Sequence, residues 1–191
     1  MKKLILSAAL LWAAAGLAHA EKADSSKPTE IAFDQLEVDD VKQIKIATGN
    51  VILTRGTLQM KSPKAVVHED PEGYQYVTMT STPGTPATFR QKRDGAGDQW
   101  VEGQAERIEY DGKTELVKLF AKARIRRLEA GKPSDEVQGE FISYDSRKEF
   151  FAVKNTATGE SKPGAGRGTR VIQPSNKSPA PAAASVPPAG K

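Results

Sequence analysis

The feature that most constrains this chain is an alternation of apolar and polar side chains with a period of two, sustained from Thr29 to Val153. That period sends successive side chains to opposite faces, so it marks strands with one buried face. The pairs Ile31/Phe33, Ile44/Ile46, Val51/Leu53, Leu58/Met60, Val77/Met79, Ala87/Phe89 and Ile108/Tyr110 all keep it. The longest run is Val117, Leu119, Ala121, Ala123 and Ile125, interleaved with Lys118, Phe120, Lys122, Arg124 and Arg126. Four of those five intervening side chains are cationic, so one face is wet and the other dry.

Helical periodicity is poor in this region, and turn signals recur every eight to twelve residues, as an all-β sandwich or barrel requires. They include Thr48-Gly49-Asn50, Arg55-Gly56, Pro71-Glu72-Gly73, Pro83-Gly84, Asp94-Gly95 and Ala130-Gly131-Lys132-Pro133, with Asp111-Gly112 the strongest hairpin signal. A weak repeat supports stacked hairpins: Glu106-Arg107-Ile108-Glu109-Tyr110-Asp111 returns as Glu140-Phe141-Ile142-Ser143-Tyr144-Asp145, and Pro63-Lys64-Ala65-Val66-Val67 begins like a third copy.

Residues 1–20 read as a secretory signal peptide. Lys2 and Lys3 precede an apolar run from Leu4 to Leu17, and Ala18-His19-Ala20 is a small-residue cleavage site. The run is too short for a spanning helix, so cleavage after Ala20 is expected to leave 171 residues without an integral membrane segment. Residues 21–28 are expected to be a short flexible lead-in. Residues 156–191 contain 22 Pro, Gly, Ala and Ser among 36 positions and are expected to be a disordered tail, with Val171-Ile172 its one candidate strand.

The chemistry available is narrow. There is no cysteine, hence neither disulfide nor thiol nucleophile. Beyond the signal the only histidine is His68, next to Glu69 and Asp70 before a Pro-Glu-Gly turn, which reads as an exposed loop rather than a metal site. No Gly-x-Ser-x-Gly and no phosphate loop occurs. Adjacent carboxylates such as Asp39 and Asp40 would point to opposite faces of a strand. The expectation is therefore a protein that is not an enzyme and needs no metal or cofactor. Residues 21–155 carry 21 basic and 23 acidic groups, a balance that offers no footprint for nucleic acid.

Several segments, in order, resemble the OstA-like domain family of lipopolysaccharide transport. They are Ala47-Thr48-Gly49-Asn50-Val51-Ile52-Leu53-Thr54-Arg55-Gly56-Thr57-Leu58, Lys64-Ala65-Val66-Val67, Pro86-Ala87-Thr88-Phe89, Val101-Glu102-Gly103-Gln104-Ala105 and the Ile108-Glu109-Tyr110 strand with its repeat. The resemblance covers residues 29–153, within a domain bounded at 29–155. It implies a twisted antiparallel β-jelly roll of stacked hairpins, open at both ends and apolar inside.

The resemblance further implies a protein of the Gram-negative periplasm that binds lipopolysaccharide by its lipid A acyl chains and contributes to outer-membrane biogenesis. Its partners would be inner-membrane LptC, outer-membrane LptD and further copies of itself joined head to tail. The lining would be Ile31, Phe33, Phe89, Ile108, Tyr110, Leu119, Ala121, Ala123 and Ile125. The joining edges would be Thr29, Ile31 and Phe33 on the first strand and Phe150, Phe151 and Val153 on the last. Arg124, Arg126 and Arg127 either meet headgroup phosphates or form a solvated face. Alternation alone does not separate a trough from an ordinary core. Rival readings are a periplasmic chaperone for extended polypeptides and a stacked-strand enzyme acting on polysaccharide.

Overall fold

The computed structural model describes residues 23–95, 97–164 and 170–173. The expected signal peptide lies outside them, as do residues 165–169 and 174–191 of the expected tail. Twelve strands follow one another: β1 (Thr29–Ala32), β2 (Gln35–Asp39), β3 (Ile44–Arg55), β4 (Leu58–Glu69), β5 (Gln75–Thr80), β6 (Ala87–Lys92), β7 (Gln99–Ala105), β8 (Arg107–Asp111), β9 (Leu116–Glu129), β10 (Lys132–Asp145), β11 (Phe150–Lys154) and β12 (Arg170–Ile172). All pairings are antiparallel and join one continuous sheet.

Four long strands, β3, β4, β9 and β10, each change partner midway and so divide the sheet into two layers. Layer one contains β2, the first part of β3, the second part of β4, β5, β8, the first part of β9, the second part of β10, and β11. Layer two contains β1, the remainder of β3 and β4, β6, β7, the remainder of β9 and β10, and β12.

The corner between the layers is made by one extra residue in a strand. On β3, Gly49 and Asn50 take left-handed backbone angles, φ 74° and 45°, where the register with β4 shifts. A side chain at Gly49 would collide with Asp34, whose carboxylate accepts a hydrogen bond from Asn50 Nδ2 at 2.9 Å. On β9 the same break falls at Ala121 and Lys122, φ 59° and 51°, opposite Glu140. Bulges of this kind bend a sheet while keeping the strand continuous. Two left-handed residues stand where the partner strand has one, so the bulged strand keeps its phase, with Leu119 and Ala123 both buried, while β10 changes phase between Val137 and Ile142.

The layers face each other across one apolar cluster. Phe89 of layer two stacks on Tyr144 of layer one at 6.4 Å between ring centroids. Gly103 of layer two lies directly over Leu119 of layer one. The product is a twisted antiparallel β-jelly roll built of stacked hairpins, as the family resemblance implied. Its strand order ends without closing, at β1 and β2 on one side and at β11 and β12 on the other. Among the described residues no helix is long and apolar enough to cross a membrane.

Some local expectations are corrected. Ile44 and Ile46 pair with His68 and Val66 on the outer face of β3, whereas Ala47 is the buried residue there. Asp111-Gly112 does open a hairpin, yet the connection runs to Leu116. The Asp111 carboxylate accepts the N–H groups of Lys113 and Thr114 at 2.9 and 3.1 Å, shaping a longer turn than a two-residue one. His68 is exposed at the end of β4 and not in a loop.

Candidate functional site

Cross-strand register converts the alternation into rows. In layer one, consecutive partners run Leu36, Ala47, Ala65, Met79, Ile108, Leu119, Ile142 and Val153. In layer two they run Ile31, Leu53, Met60, Phe89, Gly103, Ile125, Val137 and Val171. Each row crosses its layer from edge to edge without a charged side chain. At about 4.8 Å between strands, eight strands span roughly 34 Å.

The predicted lining divides along these rows. Phe89, Ile108, Tyr110, Leu119, Ala123 and Ile125 are all buried in one cluster, with Ile31 packed against it. Phe33 lies just past β1, is 39% exposed and does not belong to that cluster. Ala121 occupies the left-handed corner and is half-buried outside it. The interior is filled by its own side chains: Met60, Met79, Ile108 and Leu119 have no exposure, and Phe89 keeps 2%. In this state the apolar interior is a packed core and not an open trough.

At the two ends the rows emerge. Of the large apolar side chains exposed among the described residues, only Tyr74 lies away from the terminal strands and their turns. Leu36, Val38 and Val41 crowd one end, while Phe150, Val171 and Ile172 crowd the other, with Leu36 at 42%, Phe150 at 61% and Val171 at 57% exposure. The predicted edge residues Thr29 and Ile31 lie on β1, and Phe150, Phe151 and Val153 on β11. Phe151 and Val153 point into the interior, where Phe151 stacks on Tyr144 at 4.7 Å. Sequence reasoning missed β2, although Leu36 and Val38 alternate. A five-residue strand between charged neighbours gives too short a signal. The β12 strand uses the Val171-Ile172 pair and lies on Glu136–Gln138 of β10.

Opposite the corners, the long side of the jelly roll is a seam closed by polar groups that no motif announced. Asp24, only 4% exposed, accepts hydrogen bonds from Thr57 N–H and Oγ1, both at 2.6 Å, and from Gln91 Nε2 at 3.0 Å. Arg55 of layer two donates to the Ser25 carbonyl and, at 3.4 Å, to the Tyr110 hydroxyl of layer one. Burial pushes the Tyr110 phenol above its ordinary value of 10.0, with the neighbouring Arg55 opposing, so the hydroxyl stays neutral.

Further along the seam, Arg93 of layer two is ion-paired with Glu149 of layer one, and Arg127 donates to the Glu149 carbonyl at 3.4 Å. The three arginines first grouped together thus separate. Arg124 and Arg126 lie on the outer face, paired with Glu136 at 3.0 Å and Glu102 at 3.1 Å. Burial pushes the Glu136 carboxyl up, and hydrogen bonds from Gln138 and Arg124 outweigh it, leaving the pKa below the usual 4.5. Arg127 instead pairs with Val101, in phase with Ile125, and therefore points to the inner face at its rim. No group of three or more metal-ligating side chains occurs among the described residues.

Comparison with known proteins agrees with this architecture. The family described as "LptA/(LptD N-terminal domain) LPS transport protein" matches residues 30–150. The lipopolysaccharide export system protein LptA of Haemophilus influenzae is 30% identical over 158 residues, covering 83% of this chain and 87% of that protein. LptA of Escherichia coli K12 is 30% identical over 151 residues, covering 79% and 78%. In structure, LptH of Pseudomonas aeruginosa, described as the LptA-homologous periplasmic component of the lipopolysaccharide transport device, superposes with a TM-score of 0.66 at 22% identity, over 79% of this chain and 99% of that one. The chain belongs to the LptA/LptD N-terminal domain family of lipopolysaccharide transport proteins.

Proposed function

We propose that this chain is a periplasmic transport protein that binds lipopolysaccharide, shields its acyl chains between the two layers, and bridges LptC at the inner membrane to LptD at the outer one. The observation that carries the reading is the pair of apolar rows running from one open edge to the other. Hiding an acyl chain from water is worth about 0.8 kcal/mol per CH2, so several chains together face a barrier that an apolar path lowers. Since the interior is packed, the chains enter by parting the layers at the seam, where polar contacts rather than backbone ladders hold them.

The edges suit joining. Unpaired strands are templates for strand addition, and a head-to-tail contact of this kind extends without closing. The first strand, β1, was expected to meet the neighbour's β11, but the two lie in different layers; in this reading β2 of one copy therefore meets β11 of the next in layer one, while β1 faces the neighbour's β12 side in layer two. The expected catalytic role is none. Depletion of the protein tests the reading. Newly made lipopolysaccharide retained at the inner membrane is the expected result; unaffected lipopolysaccharide with misfolded outer-membrane proteins would point to a chaperone instead.

A further inference from the structure

We infer that Arg127 and Arg93 form a phosphate-binding site at the rim of the seam, occupied in the closed state by Glu149 and in the loaded state by a phosphate of the lipid headgroup. The inference rests on the reading of the interior as the acyl-chain site and adds to it where the charged end of the lipid is held. Arg127 lies on the inner face of β9, directly following the buried Ile125 in phase. Its Nε is buried and has no hydrogen-bond acceptor among the described residues. Among the described residues its Nη groups make long contacts, 3.4 Å to the Glu149 carbonyl and 3.8 Å to the Asp135 carboxylate. A guanidinium offers five donors in a planar fork, a geometry that suits tetrahedral oxyanions. A buried donor left without an acceptor is a costly arrangement that an incoming oxyanion would relieve.

Glu149 is the natural surrogate. It sits in the turn before β11 at φ 50°, a backbone angle that favours glycine, and reaches across the seam to Arg93. Its carboxylate joins the layers, so replacing it with an anion carried by the lipid would unlatch them and fill the arginine site in one exchange. What selects an amphiphile over free phosphate is the column below. The Arg127 guanidinium lies 4.6 Å from the Phe151 ring, Phe151 stacks on Tyr144 at 4.7 Å, and Tyr144 stacks on Phe89 at 6.4 Å. This aromatic column runs from the cationic rim straight into the apolar cluster. A ligand with a phosphate at one end and acyl chains at the other matches both ends of it.

The test uses the mature protein and fluorescent lipid A in two forms, one bearing its phosphates and one with them enzymatically removed. Arg127→Gln, confirmed folded by its urea transition, should weaken binding of the phosphorylated form by about tenfold or more and leave the dephosphorylated form unchanged; Arg93→Gln, which also opens the ion pair to Glu149, should weaken the phosphorylated form relative to the dephosphorylated one. Glu149→Gln should bind the phosphorylated form at least as tightly as the parent. Equal weakening of both forms, or weakening of neither, overturns the phosphate site while leaving the acyl-chain reading intact. Failure of the parent protein to bind either form sinks both. Inorganic phosphate alone, titrated against the parent protein, should bind far more weakly than phosphorylated lipid A; equal affinity for the two would assign the site to a free anion and overturn the headgroup assignment.

Discussion

Gly103→Ala probes how tightly the two layers close on one another. A methyl group built on Gly103 would stand 2.8 Å from Phe89 Cδ1, closer still to Phe89 Cε1, and 2.9 Å from Leu119 Cδ2. Apolar carbons prefer about 3.5–4.0 Å, so Phe89 or the layer spacing must shift by several tenths of an ångström or more. Phe89 has nowhere easy to go, being 2% exposed and stacked on Tyr144. Overpacking of this sort costs about 1–3 kcal/mol. Gly103 does not occupy the left-handed region, so the alanine regains about 0.4–1 kcal/mol by restricting the unfolded chain. With three atoms under 3.0 Å the cost falls in the upper half of that range, about 2–3 kcal/mol, so the net is a destabilisation of about 1–2.6 kcal/mol, read as a lower urea midpoint with an unchanged slope. Phe89→Leu combined with Gly103→Ala should recover part of the loss in a double-mutant cycle. A neutral or stabilising Gly103→Ala would show that the layers are not in contact there and would refute the closed interior.

Asp24→Ala should cost about 1–3 kcal/mol in urea unfolding, because it strands the buried Gln91 amide and the Thr57 N–H; no loss would mean that residues 23–28 do not dock on the seam. The Asp111 carboxyl is raised by burial but lowered further by the Thr114 hydroxyl and by the N–H groups of Thr114 and Lys113, so its pKa lies below the ordinary 3.8. Its contribution is present above pH 3.8 and lost as the pH falls through the lower folded value; Asp111→Asn should flatten the acid limb of the melting temperature, and an unaltered limb would contradict this. Val38→Lys and Phe150→Lys place a charge at opposite ends of the stack. Each should reduce self-association in sedimentation velocity without altering the far-UV spectrum, and undiminished assembly would locate the joining surface elsewhere.

The strand content was legible in the sequence, and so was the buried parity of most strands, Ile44 and Ile46 excepted, because a period of two survives wherever one face is wet. Even the corner at Ala121-Lys122 did not disturb it on β9, since the bulged strand keeps its phase where two of its residues face one of the partner. That same invisibility hid the corner: nothing in Phe120-Ala121-Lys122-Ala123 signals a left-handed turn, whereas Gly49-Asn50 does. The rows across the sheet needed register, which short-range pattern does not supply. Arg127 shares the parity of Ala123 and Ile125, yet its charge and its neighbours Arg124 and Arg126 made it look like part of the wet face. The seam residues Asp24, Arg55, Arg93 and Glu149 come from four distant turns or strand ends, and only the folded chain brings them together. The packing of the interior was equally beyond pattern, because an apolar face reads the same whether it meets another side chain or a lipid.

The most direct measurement is photocrosslinking in living cells with a photoreactive phenylalanine placed at four aromatic positions of comparable size. Phe89 and Tyr144 face the interior, while Phe120 and Trp100 have the opposite parity on β9 and β7. The account predicts adducts with lipopolysaccharide from Phe89 and Tyr144 and none from Phe120 and Trp100. Adducts from the outer pair alone, or from all four alike, would contradict an acyl-chain path between the layers.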